Sequence, residues 1–194
     1  MPTRPLLLSC ILIFSTLAFA ACGGGGDETG TVEEVIETSA TTTDPADCKK
    51  LETQQFIEQI SQESGAAAVK ECEEEAENQE GSKSVSVTNV AVKGSSATAE
   101  AALKGGSLDG QTVEVELVKD GDQWKMDEVV KFTKFNQAKL AGVFERELSK
   151  GSSELSPRLA NCFVEAFKSG SQAEVEELLL SGSAKALEEV AEAC

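Results

Sequence analysis

Among 194 residues there is no histidine and no tyrosine. That removes the commonest general acid–base side chain and the commonest transition-metal ligand. Cysteine and carboxylate are left as the groups that could do chemistry. Six cysteines stand at 10, 22, 48, 72, 162 and 194, and none belongs to a Cys-x-x-Cys pair. A four-thiolate zinc site therefore lacks its usual spacing, and disulfides are the stronger reading. Glutamates at 71, 73, 74, 75, 77 and 80 form a dense run. No loop with the 1-3-5-12 calcium-ligand pattern accompanies them, so a solvated helix face is expected. Asp109, Asp120 and Asp122 fall in expected turns, where aspartate serves the backbone. Asp127 lies on a strand, on the face opposite Trp124 and Met126. It is the first carboxylate to consider as a base, but it has no named partner. Trp124 and Met126 are candidate pocket or core residues. No serine has a histidine to activate it, and no catalytic residue, metal site or cofactor is assigned.

The elements that position these residues follow from periodicity. Asp44-Pro45-Ala46-Asp47 predicts an N-cap, a proline at the first helical position and an acid in the first turn, with Leu51 ending the turn. Thr53 caps a second helix carrying Phe56, Ile57 and Ile60. Ser64-Gly65 breaks the chain before a third, from Ala66 to about Asn78, with Val69, Cys72 and Ala76 on one face. From Ser84 the period becomes two. Val85 and Val87 alternate with polar residues, as do Ala97, Ala99, Ala101 and Leu103, then Val113, Val115 and Leu117. Trp124 and Met126 open the last strand. Val90 and Val92 are out of phase with Val85 and Val87, which predicts a bulge near Thr88-Asn89. Lys93 to Ser96, Gly105 to Gly110 and Lys119 to Asp122 read as the turns of a four-strand antiparallel meander.

From about Asn136 the period returns to helical. Phe135, Leu140, Val143, Phe144 and Leu148 mark one helix ended by Gly151. Ser156-Pro157 opens another with Leu159, Cys162, Phe163, Ala166 and Phe167. Ser171 to Glu174 is a capping box leading to Val175, Leu178 and Leu179. A last helix is expected after Gly182-Ser183, running into Cys194.

The N-terminal 21 residues read as an export signal. Arg4 precedes an apolar run from Leu6 to Phe19, too short to span a bilayer comfortably. Leu17-Ala18-Phe19-Ala20-Ala21-Cys22 then resembles the processing site of a bacterial lipoprotein signal, although Phe19 departs from the more usual leucine. The resemblance implies acylation of Cys22, an anchor of acyl chains in the membrane, and residence on the outer face of the bacterial cytoplasmic membrane. Ordinary secretion, with cleavage after Ala20, is the alternative. Gly23 to Gly26 and the polar stretch that follows suggest a flexible tether over 22–43. With Cys10 in the leader and Cys22 lipidated, four cysteines remain. They allow three connectivities, of which sequence grouping favours Cys48–Cys72 and Cys162–Cys194. Each loop of that length would stabilise its block by roughly 3–4 kcal/mol. The net charge of −17 speaks against nucleic acid and against electrostatic docking on anionic lipid.

Helices carrying Cys48 and Cys72, followed by strands ending Leu117-Val118-Lys119-Asp120-Gly121-Asp122-Gln123-Trp124-Lys125-Met126-Asp127-Glu128-Val129, resemble a nuclear transport factor two-like domain over about 47–133. The resemblance implies an α+β cone in which short N-terminal helices pack on a curved four-strand antiparallel sheet, the mouth sometimes holding a ligand. The expected division is a leader over 1–21, a tether over 22–43, this domain over 44–134, and a small disulfide-stapled helical domain over 135–194. The expected role is noncatalytic binding of a small or apolar ligand outside the cytoplasm. An envelope protein that binds another protein through the helical segment is the alternative. A cone-type isomerase or hydrolase stands behind both.

Overall fold

Alternating small apolar and polar side chains produce four strands: β1 Ser84–Lys93, β2 Ser96–Lys104, β3 Thr112–Asp120 and β4 Gln123–Lys134. In the computed structural model, which describes residues 25–78, 80–149 and 157–181, they form an antiparallel sheet in the order β1-β2-β3-β4. This is the expected meander. The β1 bulge is also present. Register jumps from Thr88↔Glu100 to Ala91↔Thr98, and Asn89 takes a left-handed φ of 57°. The tight turns put glycine where a positive φ is needed, at Gly94 and Gly121.

Strand β4 departs from simple alternation. Its register with β3 runs Leu117↔Met126, Glu116↔Glu128, Val115↔Val129, Glu114↔Lys131, Val113↔Phe132 and Thr112↔Lys134. Asp127, Val130 and Thr133 therefore have no opposite residue. Each is the extra residue of a bulge, and each resets the phase by one. The buried positions accordingly fall at Trp124, Met126, Val129 and Phe132, not at every second residue.

Among the described residues there are seven helices: α1 Gly25–Thr41, α2 Ala46–Leu51, α3 Gln54–Ser61, α4 Ala66–Asn78, α5 Gln137–Ser149, α6 Pro157–Ser169 and α7 Gln172–Leu180. The flexible tether expected over 22–43 is corrected by α1. Val32, Val35 and Ile36 recur at helical spacing and are buried in the core. Burying each of them contributes about 1.5–3 kcal/mol, which a segment judged on its glycine and threonine content alone does not suggest. The caps of α3 and α7 are as expected. Thr53 Oγ1 accepts from the Phe56 N–H, and Ser171 with Glu174 forms the full capping box. Helix α2 begins one residue later than expected. Pro45 is its cap residue and has no capping side chain, while Asp44 Oδ1 accepts from the Ala46 N–H at 3.0 Å.

The separate helical domain expected over 135–194 is also corrected for the residues described. Leu140 and Ala141 of α5, Phe167 of α6, and Val175 and Leu178 of α7 join the same hydrophobic cluster as the sheet and α1. Phe144 stacks on Phe167 at 4.0 Å between ring centroids, tying α5 to α6. Polar side chains seal the seam. Gln59 of α3 donates to the carbonyls of Val129 (2.9 Å) and Leu180 (2.7 Å) and accepts from the Val129 N–H at 2.7 Å. Glu176 accepts from the Phe132 N–H and Gln172 donates to the Phe132 carbonyl, both at 2.7 Å. The backbone groups of Val129 and Phe132 on edge strand β4 are thereby satisfied by α3 and α7, which covers part of an otherwise open strand edge. Among the described residues no helix is long and apolar enough to cross a membrane. The leader, Cys22, Ser156, Cys194 and the helix expected after Gly182-Ser183 lie outside the described residues.

Candidate functional site

Cys48 of α2 and Cys72 of α4 are joined in a disulfide, with their Cα atoms 6.2 Å apart. The two residues differ in burial: Cys48 is 1% exposed, whereas Cys72 is half-buried. Four residues after Cys48, α2 ends at Glu52, whose backbone turns extended (φ −128°, ψ 146°). There it bridges to Met126 of β4, and the next N–H, of Thr53, donates to the Met126 carbonyl at 2.9 Å. Pinned in this way, the Glu52 side chain is only 9% exposed. Ser39 of α1 donates from Oγ to Glu52 Oε1 at 2.7 Å. The other oxygen, Oε2, lies 3.4 Å from Cys72 Sγ.

A disulfide sulfur carries no proton, so a hydrogen bond between Oε2 and Cys72 Sγ must be donated by a protonated carboxyl. The electrostatics favour that form. Burial pushes the Glu52 carboxyl up to about 7, against the lowering effect of the Ser39 hydrogen bond, and the charges of Glu75 and Asp47 push it further up. The neighbouring ammonium groups pair elsewhere: Lys49 with Glu73 at 2.6 Å, Lys50 with Asp47 at 3.4 Å and Lys125 with Asp120 at 3.0 Å. Candidate ligand atoms of Cys48, Glu52 and Cys72 lie within 4.8 Å of one another. With the sulfurs bonded to each other, neither is the thiolate that a metal requires, so the trio is a disulfide with a carboxyl beside it.

Beside this cluster opens a cleft of about 410 Å³, whose lining includes Lys49, Glu52, Thr53, Lys119, Asp120 and Lys125. Helices α2 and α3 form one wall and the β3–β4 hairpin forms the other. Lys119 sits 5.0 Å above the Trp124 ring and pairs with Glu28 of α1 at 2.5 Å.

The residues singled out from sequence are placed as follows. Trp124 and Met126, at 3% and 4% exposure, are core and do not line the cleft. Asp127 is a half-buried bulge residue that belongs neither to the cleft nor to the disulfide cluster. The Cys48–Cys72 pairing is the one expected. Cys162 is disulfide-bonded, while Cys194, its expected partner, lies outside the described residues. Glu52 is the residue that sequence reasoning missed. The only local signal was its place four residues after Cys48; Glu52 lies just past the end of α2, and the sulfur it meets is that of the distant Cys72. No protein-family model matches the chain, and neither does any curated protein or solved structure.

Proposed function

We propose that this protein is a noncatalytic binding module held on the outer face of the bacterial cytoplasmic membrane by acyl chains on Cys22. The export reading is supported by the Cys48–Cys72 disulfide, a bond that persists in oxidising compartments and is rare in the cytosol. The nuclear transport factor two-like reading of 44–134 is supported by helices α2 to α4 preceding a four-strand meander. The observation that carries the binding role is the contrast between a filled core and an open cleft. The inward sheet face, with Val115, Leu117, Trp124 and Met126, is buried in the core with the helices, which favours the cleft over the sheet interior as the binding surface. The cleft offers ammonium and carboxyl groups over an apolar floor that includes Ile57 and Val118, which suits a small ligand carrying both charge and apolar surface.

Lys119 couples the cleft to Trp124, the only tryptophan in the chain. Ligand that displaces the ammonium should change Trp124 fluorescence, and Lys119→Ala should abolish the change. The test screens mature protein against charged small molecules, alongside native mass spectrometry for co-purified ligand. A spectrum unchanged by every compound, with no ligand retained, would overturn the cleft reading. For the anchor, mass spectrometry of the native N-terminus should show diacylated or triacylated Cys22. A chain beginning at unmodified Ala21 would overturn it.

A further inference from the structure

We propose that, beyond the noncatalytic binding of a ligand, the protein has a second activity: the Cys48–Cys72 bond is a thiol–disulfide exchange site, in which Glu52 moves the proton and thiols are the substrates. Three structural observations converge on it. The two cysteines are unequal, Cys48 being buried and Cys72 half-buried, which makes Cys72 the better placed of the two for an incoming thiolate. A buried carboxyl oxygen lies 3.4 Å from Cys72 Sγ and is oriented by Ser39. The same glutamate lines the open cleft, where it can exchange protons with water. A disulfide that served only as a staple would have no use for this carboxyl, whose burial without a cation opposes folding.

The steps balance without a further reagent. A thiolate attacks Cys72 Sγ. The Cys48–Cys72 bond breaks, a mixed disulfide forms on Cys72, and the electron pair leaves on Cys48 Sγ. Glu52, with a ligand oxygen within 4.8 Å of both sulfurs, supplies the proton that makes Cys48 a thiol. Water in the cleft then reprotonates the carboxylate. A second thiolate attacks the outer sulfur of the mixed disulfide, and Cys72 departs with a proton from Glu52. Two thiols are oxidised to one disulfide and the protein bond is reduced to a dithiol. In reverse, Glu52 accepts the Cys72 proton and the resulting thiolate attacks a substrate disulfide. The carboxyl's setting suits proton transfer near neutrality. It is raised to about 7 by burial, it faces Asp47 of α2 and Glu75 of α4, it meets only the Ser39 hydroxyl from α1, and from β4 it meets the Met126 backbone while Lys125 pairs with Asp120.

The test follows opening of this bond in native, oxidised protein under excess glutathione or a dithiol peptide, by alkylation and mass spectrometry from pH 5 to 9. Glu52→Gln keeps the shape and an acceptor for Ser39 but holds no transferable proton. It should slow exchange at Cys48–Cys72 at least ~10-fold near pH 7 and remove the Glu52 ionisation from the pH profile, leaving only the dependence on substrate thiolate. Faster reaction with glutathione identifies small thiols as substrates, and faster reaction with the peptide identifies protein dithiols. Acid quenching should trap the first adduct on Cys72, and Cys48→Ser, which has no bond for a thiol to open, should instead accumulate the Cys72 adduct of the reverse reaction when given oxidised glutathione. If Cys48→Ser does not fold, the quenched wild-type adduct and the Glu52→Gln kinetics still decide. Equal rates and pH profiles for wild type and Glu52→Gln would overturn the proposal, as would a bond that opens only at the rate of global unfolding. A first adduct on Cys48 would overturn it as well.

Discussion

Glu52 couples the fold to pH in a direction opposite to that of a salt-bridged carboxylate. Its pKa is raised from 4.5 to about 7 on folding, mainly by burial. Between those values the folded chain holds a proton that the unfolded chain has lost, so this group's contribution to stability falls as pH rises through that window. Below 4.5 both states are protonated and the contribution is neutral. Above 7 the full penalty is present, on the order of 3 kcal/mol from the size of the shift. Glu52→Gln should therefore match wild type near pH 4 and exceed it by up to about 3 kcal/mol at pH 8. Urea unfolding of both proteins under oxidising conditions measures this, and a difference independent of pH would show that Glu52 is not held protonated. Legibility at this scale was partial. Parity and grouping pointed to Cys48–Cys72, but the carboxyl beside it depends on Ser39 and Met126, residues 13 and 74 positions away in sequence.

Among the elements, α1 and β4 carry the lessons. The leading glycines and threonines of 23–43 suggested a tether, yet Val32 and Ile36 are 0% and 1% exposed. Ile36→Ala should cost about 2–5 kcal/mol, as large-to-small changes in a packed core do, and should reduce hydrogen-exchange protection along α1. Thermal or urea unfolding checks the first effect and exchange mass spectrometry the second. A change within ~0.5 kcal/mol, typical of a surface position, would return this segment to the status of a tether. In β4 the phase shifts at Asp127, Val130 and Thr133 explain why reading ahead from Trp124 and Met126 by alternation fails to find Val129 and Phe132. Beside the bulges, the backbone groups of Val129 and Phe132 find partners outside the sheet, in Gln59, Gln172 and Glu176. Nothing in the local pattern announces them.

For the whole molecule, the consequential finding is that α5 to α7 share one hydrophobic cluster with the sheet. Trp124 reports on the sheet core, while far-UV circular dichroism is dominated by the helices. If the core is continuous, the two signals should unfold with coincident urea midpoints. Two resolved transitions would show a separable helical unit. Gln59→Ala, which leaves both backbone groups of Val129 and the Leu180 carbonyl without this partner, should cost about 1–3 kcal/mol and bring any weakness at that seam into view.

Residue order alone was sufficient for the α+β class, the four-strand meander with its β1 bulge, the caps at Thr53 and Ser171, and the Cys48–Cys72 pair. These depend on neighbours a few positions apart, on side-chain period, or on cysteine parity, all of which are written locally. Tertiary structure decided that 25–41 is a core helix, that the later helices close the same core, and that Glu52 is a buried carboxyl with a raised pKa against Cys72. Each of those depends on contacts between segments far apart in the chain. Burial is a property of the assembled neighbours, so Glu52, one of the chain's 34 acidic residues in sequence, becomes distinctive only once α1, α2, α4 and β4 surround it.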